Sequence, residues 1–99
     1  MNYTIESIKD TIAPIAKAHG VNRMYLFGSH ARGTADAKSD IDIKIEKGRI
    51  KSLLELSSFR LDLEDALGVS VDLLTSTMLN KALLNSIARD EVLIYENQG

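Results

Sequence analysis

The stretch LFGSHARGTADAKSDIDIKI, residues 26–45, carries a Gly-Ser pair and then two aspartates separated by one residue. From position 40 onward polar and apolar residues alternate strictly, which predicts a β-strand with one face against a core. Asp40 and Asp42 then lie on the same face, with their side-chain roots roughly 7 Å apart. Neighbouring carboxylates are costly to bury unless a cation lies between them. We therefore expect either a bound cation or a strand that ends at a functional site.

The segments around this stretch predict helices and further strands. Apolar residues recur at helical spacing after Thr4, a plausible N-cap, and stop at Gly20, while Pro14 predicts a kink or a break. The segments RMYLFG and VSVDLLT predict two strands, and a third helix follows the second of them. VLIYE, residues 92–96, predicts a last strand or an extended tail. A helix from about residue 50 to 67 would bury an apolar face made of Leu53, Leu56, Phe59, Leu63 and Leu67.

The order α-β-β-α-β-α predicts an α+β fold in which helices cover a small mixed β-sheet. Ninety-nine residues fit a single domain, 1–99. The net charge of −2 argues against the basic surface that dominates nucleic-acid binding, and the lack of cysteine excludes disulfides and thiolate chemistry. The first residues do not resemble a signal peptide, and no segment is long and apolar enough to span a bilayer. We expect a cytoplasmic protein without a membrane partner.

A third acid, Asp72, lies in the later strand VSVDLLT. If that strand pairs beside the first, three carboxylates converge, and such oxygen ligands suit Mg²⁺ or Mn²⁺. Two ions about 3.5–4 Å apart can clamp the attacking and leaving oxygens of a displacement at phosphorus. Gly28 would let the chain turn sharply, and Ser29 would open a short helix whose N-terminal amides suit a phosphate. Arg32 would contact that phosphate or pair with an acid in the loop.

Each of these residues also has an ordinary structural interpretation. Asp40 and Asp42 could belong, with Lys44, to the solvated face of a strand. Asp72 could cap a neighbouring turn, and Ser39 could hydrogen-bond within its loop to position the acids. The Gly-Ser pair together with the two spaced aspartates and a later strand aspartate favours the metal and phosphate interpretation.

The run GSHARG…SDIDI resembles the signature of the DNA polymerase β-type nucleotidyltransferase superfamily, and most closely its minimal nucleotidyltransferase (MNT) branch. The resemblance implies that ATP lies with its phosphates over Gly28 and Ser29, a pattern that Arg32 and Ser39 also fit. It further implies that Asp40 and Asp42 hold two Mg²⁺ ions, with Mn²⁺ as a substitute. Asp72 would complete the metal site beside an attacking hydroxyl, and pyrophosphate would leave.

Members of the MNT branch are often paired with HEPN-domain proteins, which are small helical ribonuclease toxins. The resemblance therefore implies an antitoxin that transfers AMP from ATP to a tyrosine of a HEPN toxin, within a hetero-oligomer. Two alternatives stay open at this point. The protein could neutralise its partner by binding alone, or it could be a nucleotidyltransferase that acts on a small molecule or an RNA end.

Overall fold

The computed structural model of the protein describes residues 4–28, 40–75, 80–89 and 91–97. The predicted order of helices and strands is confirmed, and VLIYE forms a strand rather than a tail. In chain order the elements of the described residues are α1 (Ile5–His19), β1 (Arg23–Phe27), β2 (Ile41–Glu46), α2 (Leu53–Leu67), β3 (Val71–Thr75), α3 (Lys81–Ala88) and β4 (Val92–Glu96).

The described strands form one mixed sheet in the order β3-β2-β1-β4. β1 pairs antiparallel with both β2 and β4, whereas β2 and β3 run parallel. The parallel pair follows from the chain path, because α2 carries the chain from the end of β2 back to the start of β3. Within the described residues no helix has the length and apolar character needed to cross a membrane.

Both long helices begin and end at the residues that local chemistry favours. The Thr4 hydroxyl accepts a hydrogen bond from the Ser7 amide at 3.0 Å, and Gly20 closes α1 with a φ of +74°. α1 runs through Pro14 as one helix, so the expected break is absent. The buried residues Ile8, Ile12 and Ala16 lie on both sides of the proline and hold the two halves against the same core.

The core lies between the sheet and the helices α1 and α2. In β2 every second residue faces it, and Ile41, Ile43 and Ile45 are fully buried. The predicted face of α2 is only partly correct, because Leu53 is 76% exposed while Phe59, Leu63 and Leu67 are buried. The helix begins at Leu53 after the Ser52 N-cap, and Ile50, in the preceding turn, fills the core instead.

The opposite face of β2 carries Asp42, Lys44 and Glu46. Lys44 is only 8% exposed: its Nζ lies 2.5 Å from Glu91 Oε2 and 4.7 Å from the centre of the Tyr25 ring. This lysine is therefore not part of a freely solvated strand face. It joins the strand of the candidate site to the residue that precedes β4.

Candidate active site

Asp42 and Asp72 lie side by side on neighbouring strands. Each is the second residue of its strand, and the parallel register of β2 and β3 pairs them directly. Paired residues of adjacent strands point to the same face and are separated by the strand spacing of about 4.8 Å. Asp42 is half-buried and Asp72 is exposed. Two carboxylates therefore lie next to each other at the beginning of β2 and β3, as the sequence predicts for this pair.

Gly28 lies against the carboxylate of Asp42. Phe27, the last residue of β1, pairs with Asp42 across the sheet, and the chain then turns at Gly28 with a φ of +74°. A Cβ atom at position 28 would collide with Asp42 Oδ2. Glycine is thus required twice here, once for its backbone conformation and once for the space that the carboxylate occupies.

Asp40 stands just outside β2 and is exposed. The pairing of β2 with β3 begins one residue later, where the Ile41 amide donates to the Ser70 carbonyl at 3.0 Å. Among the described residues, no three Asp, Glu, His or Cys side chains lie close enough together to hold a metal ion. The expected convergence of Asp40 with the other two acids is therefore not seen, and Asp40 lies at the entrance to the strand.

The donor chemistry of Asp42 and Asp72 still fits Mg²⁺. This ion keeps several water ligands and commonly binds through one or two carboxylates together with substrate phosphates. Two adjacent hard oxygen donors meet that requirement. Three of the predicted phosphate-binding residues, Ser29, Arg32 and Ser39, lie outside the described residues.

A cavity of about 390 Å³ contains both paired aspartates. Its described lining adds a cation that the sequence analysis missed, Arg60 of α2. Arg60 belongs to no sequence motif. The helical pattern of α2 also does not show which strand lies next to the side of the helix that carries Arg60. The contact of α2 with β3 brings Arg60 to the acids. The lining consists of Phe27, Asp42, Arg60, Val71, Asp72, Leu73 and Leu74.

A larger hollow of about 470 Å³ lies between α1 and α2 and shares no described lining residue with this cavity. His19 Nε2 lies there 2.7 Å from Asp62 Oδ2, and the histidine ring packs 5.0 Å from the Phe59 ring. His19 is the last residue of α1, where a positive charge would favour the helix dipole. The structure adds a link between the two helices.

Comparisons with known proteins show the family of the chain. The family model for polymerase β nucleotidyltransferases matches residues 10–99. A Methanocaldococcus jannaschii protein with the provisional name protein adenylyltransferase MJ0435 is 43% identical over 88 residues, covering 89% of this chain and 95% of that protein. The protein adenylyltransferase MntA of Thermococcus cleftensis is 30% identical, with 92% of this chain and 96% of that protein covered.

Solved structures share the fold. One described provisionally as a minimal nucleotidyltransferase is 29% identical with a TM-score of 0.78, covering 92% of this chain and 96% of that one. A toxin–antitoxin structure with AMP-PNP has a TM-score of 0.77 at 23% identity, covering 91% and 74% of the two chains. A complex of a tri-AMPylated Shewanella oneidensis HEPN toxin with its MNT antitoxin has a TM-score of 0.72 at 18% identity, covering 96% and 75%. The match to the family model over most of the chain and the adjacent acids beside a glycine turn lead to one conclusion: the protein is a member of the polymerase β nucleotidyltransferase family.

Proposed function

We propose that this protein transfers AMP from ATP to a hydroxyl of a partner protein, in a reaction that depends on Mg²⁺. The observation that carries the proposal is the direct pairing of Asp42 with Asp72 beside the turn at Gly28. Relatives named protein adenylyltransferase match this chain along nearly their whole length and support transfer to a protein.

The acceptor we propose is a tyrosine of a HEPN toxin, which makes the protein an antitoxin. The fold is shared with an MNT antitoxin solved together with a tri-AMPylated HEPN toxin, and this likeness supports the choice of partner. The fold is also shared with a toxin–antitoxin structure that contains the ATP analogue AMP-PNP, which supports ATP as the nucleotide.

We assign the paired acids Asp42 and Asp72 to metal binding, and we propose that Asp40, which immediately precedes β2, joins them as a further ligand when the metal binds. Mg²⁺ held by these carboxylates would supply positive charge that neutralises the phosphates. Gly28 lets the backbone approach the triphosphate, and Ser29, Arg32 and Ser39 are the proposed phosphate contacts.

In the proposed reaction the acceptor oxygen forms a new bond to the α-phosphorus of ATP. The bond from that phosphorus to the oxygen bridging to the β-phosphorus breaks, and pyrophosphate leaves with the electron pair. Asp72 is exposed, and in this proposal it accepts the proton of the hydroxyl. Most of the rate enhancement comes from positioning the two reactants and from stabilising charge.

Intact-mass spectrometry tests the proposal. We propose that the HEPN partner is encoded beside this protein, and that partner is incubated with the protein, ATP and Mg²⁺, in parallel with the Asp42→Ala variant. The expected result is a mass gain in whole units of AMP with the wild type and none with Asp42→Ala. A stable complex of the two unmodified proteins, without any mass gain, would instead establish an antitoxin that acts by binding.

A further inference from the structure

We infer that Arg60 binds an anionic group next to the acceptor hydroxyl, and this inference rests on the proposed function. Arg60 is exposed, and it lines the cavity that contains Asp42 and Asp72. The other described lining residues are apolar, so Arg60 brings the positive charge to this part of the site. The two nearby carboxylates repel a further anion. Such an anion is therefore held only if it contacts the guanidinium of Arg60 directly.

The guanidinium of Arg60 is available to a ligand. Within the described ranges, no ion pair or hydrogen bond joins it to another residue. The two cations that lie within the described strands are already engaged: Lys44 pairs with Glu91, and Arg23 pairs with Glu46 and Glu96. Arginine remains charged at all working pH values and binds carboxylates and phosphates through two parallel N–H donors.

The position of Arg60 favours the acceptor over the triphosphate. α2 packs against β3, which is an edge strand of the described sheet, and Arg60 enters the cavity from that side. Gly28, where we place the triphosphate, touches Asp42 from the side of β1. In the strand order β3-β2-β1, Asp72 and Asp42 lie between the outer side of β3 and the strand that leads to Gly28. An acceptor that approaches exposed Asp72 passes next to Arg60.

Two anions can accompany an acceptor hydroxyl at this position. One is an acidic side chain of the partner protein close to the accepting residue. The other is the phosphodiester of an AMP unit that the partner already carries, because a HEPN toxin in a structurally similar complex is tri-AMPylated. Both present the oxygens that a guanidinium binds. The two sources differ in the transfer step that requires Arg60.

The test compares the wild type with Arg60→Ala and Arg60→Lys. Each is incubated with ATP, Mg²⁺ and the same HEPN partner protein, and AMP addition to that partner is followed over time by intact-mass spectrometry. Lys51→Ala serves as the control, because Lys51 is also an exposed cation near α2 but does not line the cavity. If an acidic side chain is the ligand, Arg60→Ala raises KM for the protein acceptor at least tenfold in the first addition. If an attached AMP is the ligand, Arg60→Ala leaves the rate of the first AMP addition within twofold of the wild-type rate. The rates of the later additions then fall at least tenfold.

Three results would distinguish a failure of the proposed function from a failure of the role inferred for Arg60. A wild-type protein that adds no AMP overturns the proposed function, and the acceptor role of Arg60 with it. Wild-type transfer that Arg60→Ala and Lys51→Ala both leave unchanged overturns only the role of Arg60. A rise in KM for ATP without a change in KM for the acceptor would move Arg60 to the triphosphate and also overturn the inference. Partial recovery in Arg60→Lys is expected, because lysine keeps the charge but loses the paired donors.

Discussion

At Gly28 a single backbone position limits the space around the carboxylate of Asp42, which we propose as a metal ligand. We expect Gly28→Ala to lower the free energy of unfolding by about 1–2 kcal/mol, because alanine is strained at positive φ. We also expect AMP transfer to fall about 100-fold, since the new methyl group must displace the Asp42 carboxylate and small misplacements of a reacting group have effects of that size. Denaturant unfolding and the mass assay measure the two effects.

Gly68→Ala is the matched control for this variant. Gly68 has the same φ of +74° but ends α2, away from the described lining of the cavity. It should show a similar loss of stability with transfer close to wild type. Normal transfer by Gly28→Ala would mean that the position of the Asp42 carboxylate does not limit the reaction.

The pairing of Asp42 with Asp72 predicts a conflict between stability and activity. Like charges directly opposite each other on neighbouring strands are destabilising, by roughly 0.2–1 kcal/mol. Without metal, Asp72→Asn should therefore raise the free energy of unfolding by that amount while AMP transfer falls at least 100-fold. Urea unfolding in EDTA tests the first effect, with Asp65→Asn on the exposed side of α2 as the control. A loss of stability in Asp72→Asn would instead support the turn-capping role of Asp72.

At the scale of elements, the Lys44–Glu91 pair connects β2 to the start of β4. Both side chains are largely buried, with 10% and 19% of their surfaces exposed. Glu91→Gln should lower the free energy of unfolding by about 1–3 kcal/mol, because a buried lysine then loses its counter-charge. The double variant with Lys44→Met and Glu91→Leu should be less destabilised than the sum of the effects of Lys44→Met alone and Glu91→Leu alone. Additive effects in this double-mutant cycle would show that the pair contributes no coupling energy.

α2 provides a contrast between two residues that sequence periodicity treats alike. Phe59 is fully buried, whereas 76% of the Leu53 surface is exposed. Phe59→Ala should lower the free energy of unfolding by about 3–5 kcal/mol through the cavity it leaves, and Leu53→Ala by no more than about 0.5 kcal/mol. Thermal or denaturant unfolding of the two variants decides between the periodic pattern and the observed burial. Equal decreases in the free energy of unfolding for the two variants would show that Leu53 belongs to the core.

The same comparison shows how far sequence reasoning reaches. Alternation in residues 40–45 identified the strand and its buried isoleucines, because the side-chain period of a strand is fixed. Helix periodicity identified Phe59, Leu63 and Leu67, but it did not locate the start of α2, which the Ser52 N-cap determines. Arg60 was missed for a related reason. Its approach to the acids depends on how α2 packs on β3, and no local pattern encodes that contact.

For the whole molecule, the site and the global stability should be coupled through the nucleotide. A ligand that binds only the folded state at 100 times its Kd stabilises that state by about 2.7 kcal/mol. For a folded chain of 99 residues each kcal/mol shifts Tm by roughly 4–8 °C. A non-hydrolysable ATP analogue with Mg²⁺ should therefore raise Tm by about 10–20 °C, as measured by thermal denaturation.

Dependence on metal distinguishes a rise in Tm caused by nucleotide binding at this site from one caused by nonspecific binding of an anion. The protein carries a net charge of −2, and two of its carboxylates face the proposed nucleotide site, so the analogue alone meets repulsion. We expect EDTA to abolish the shift in Tm, excess Mg²⁺ to restore it, and Asp42→Asn to reduce it to a few degrees even with Mg²⁺ present. A full shift in EDTA would show that the nucleotide binds without the carboxylates, and the metal-dependent mechanism would then be wrong.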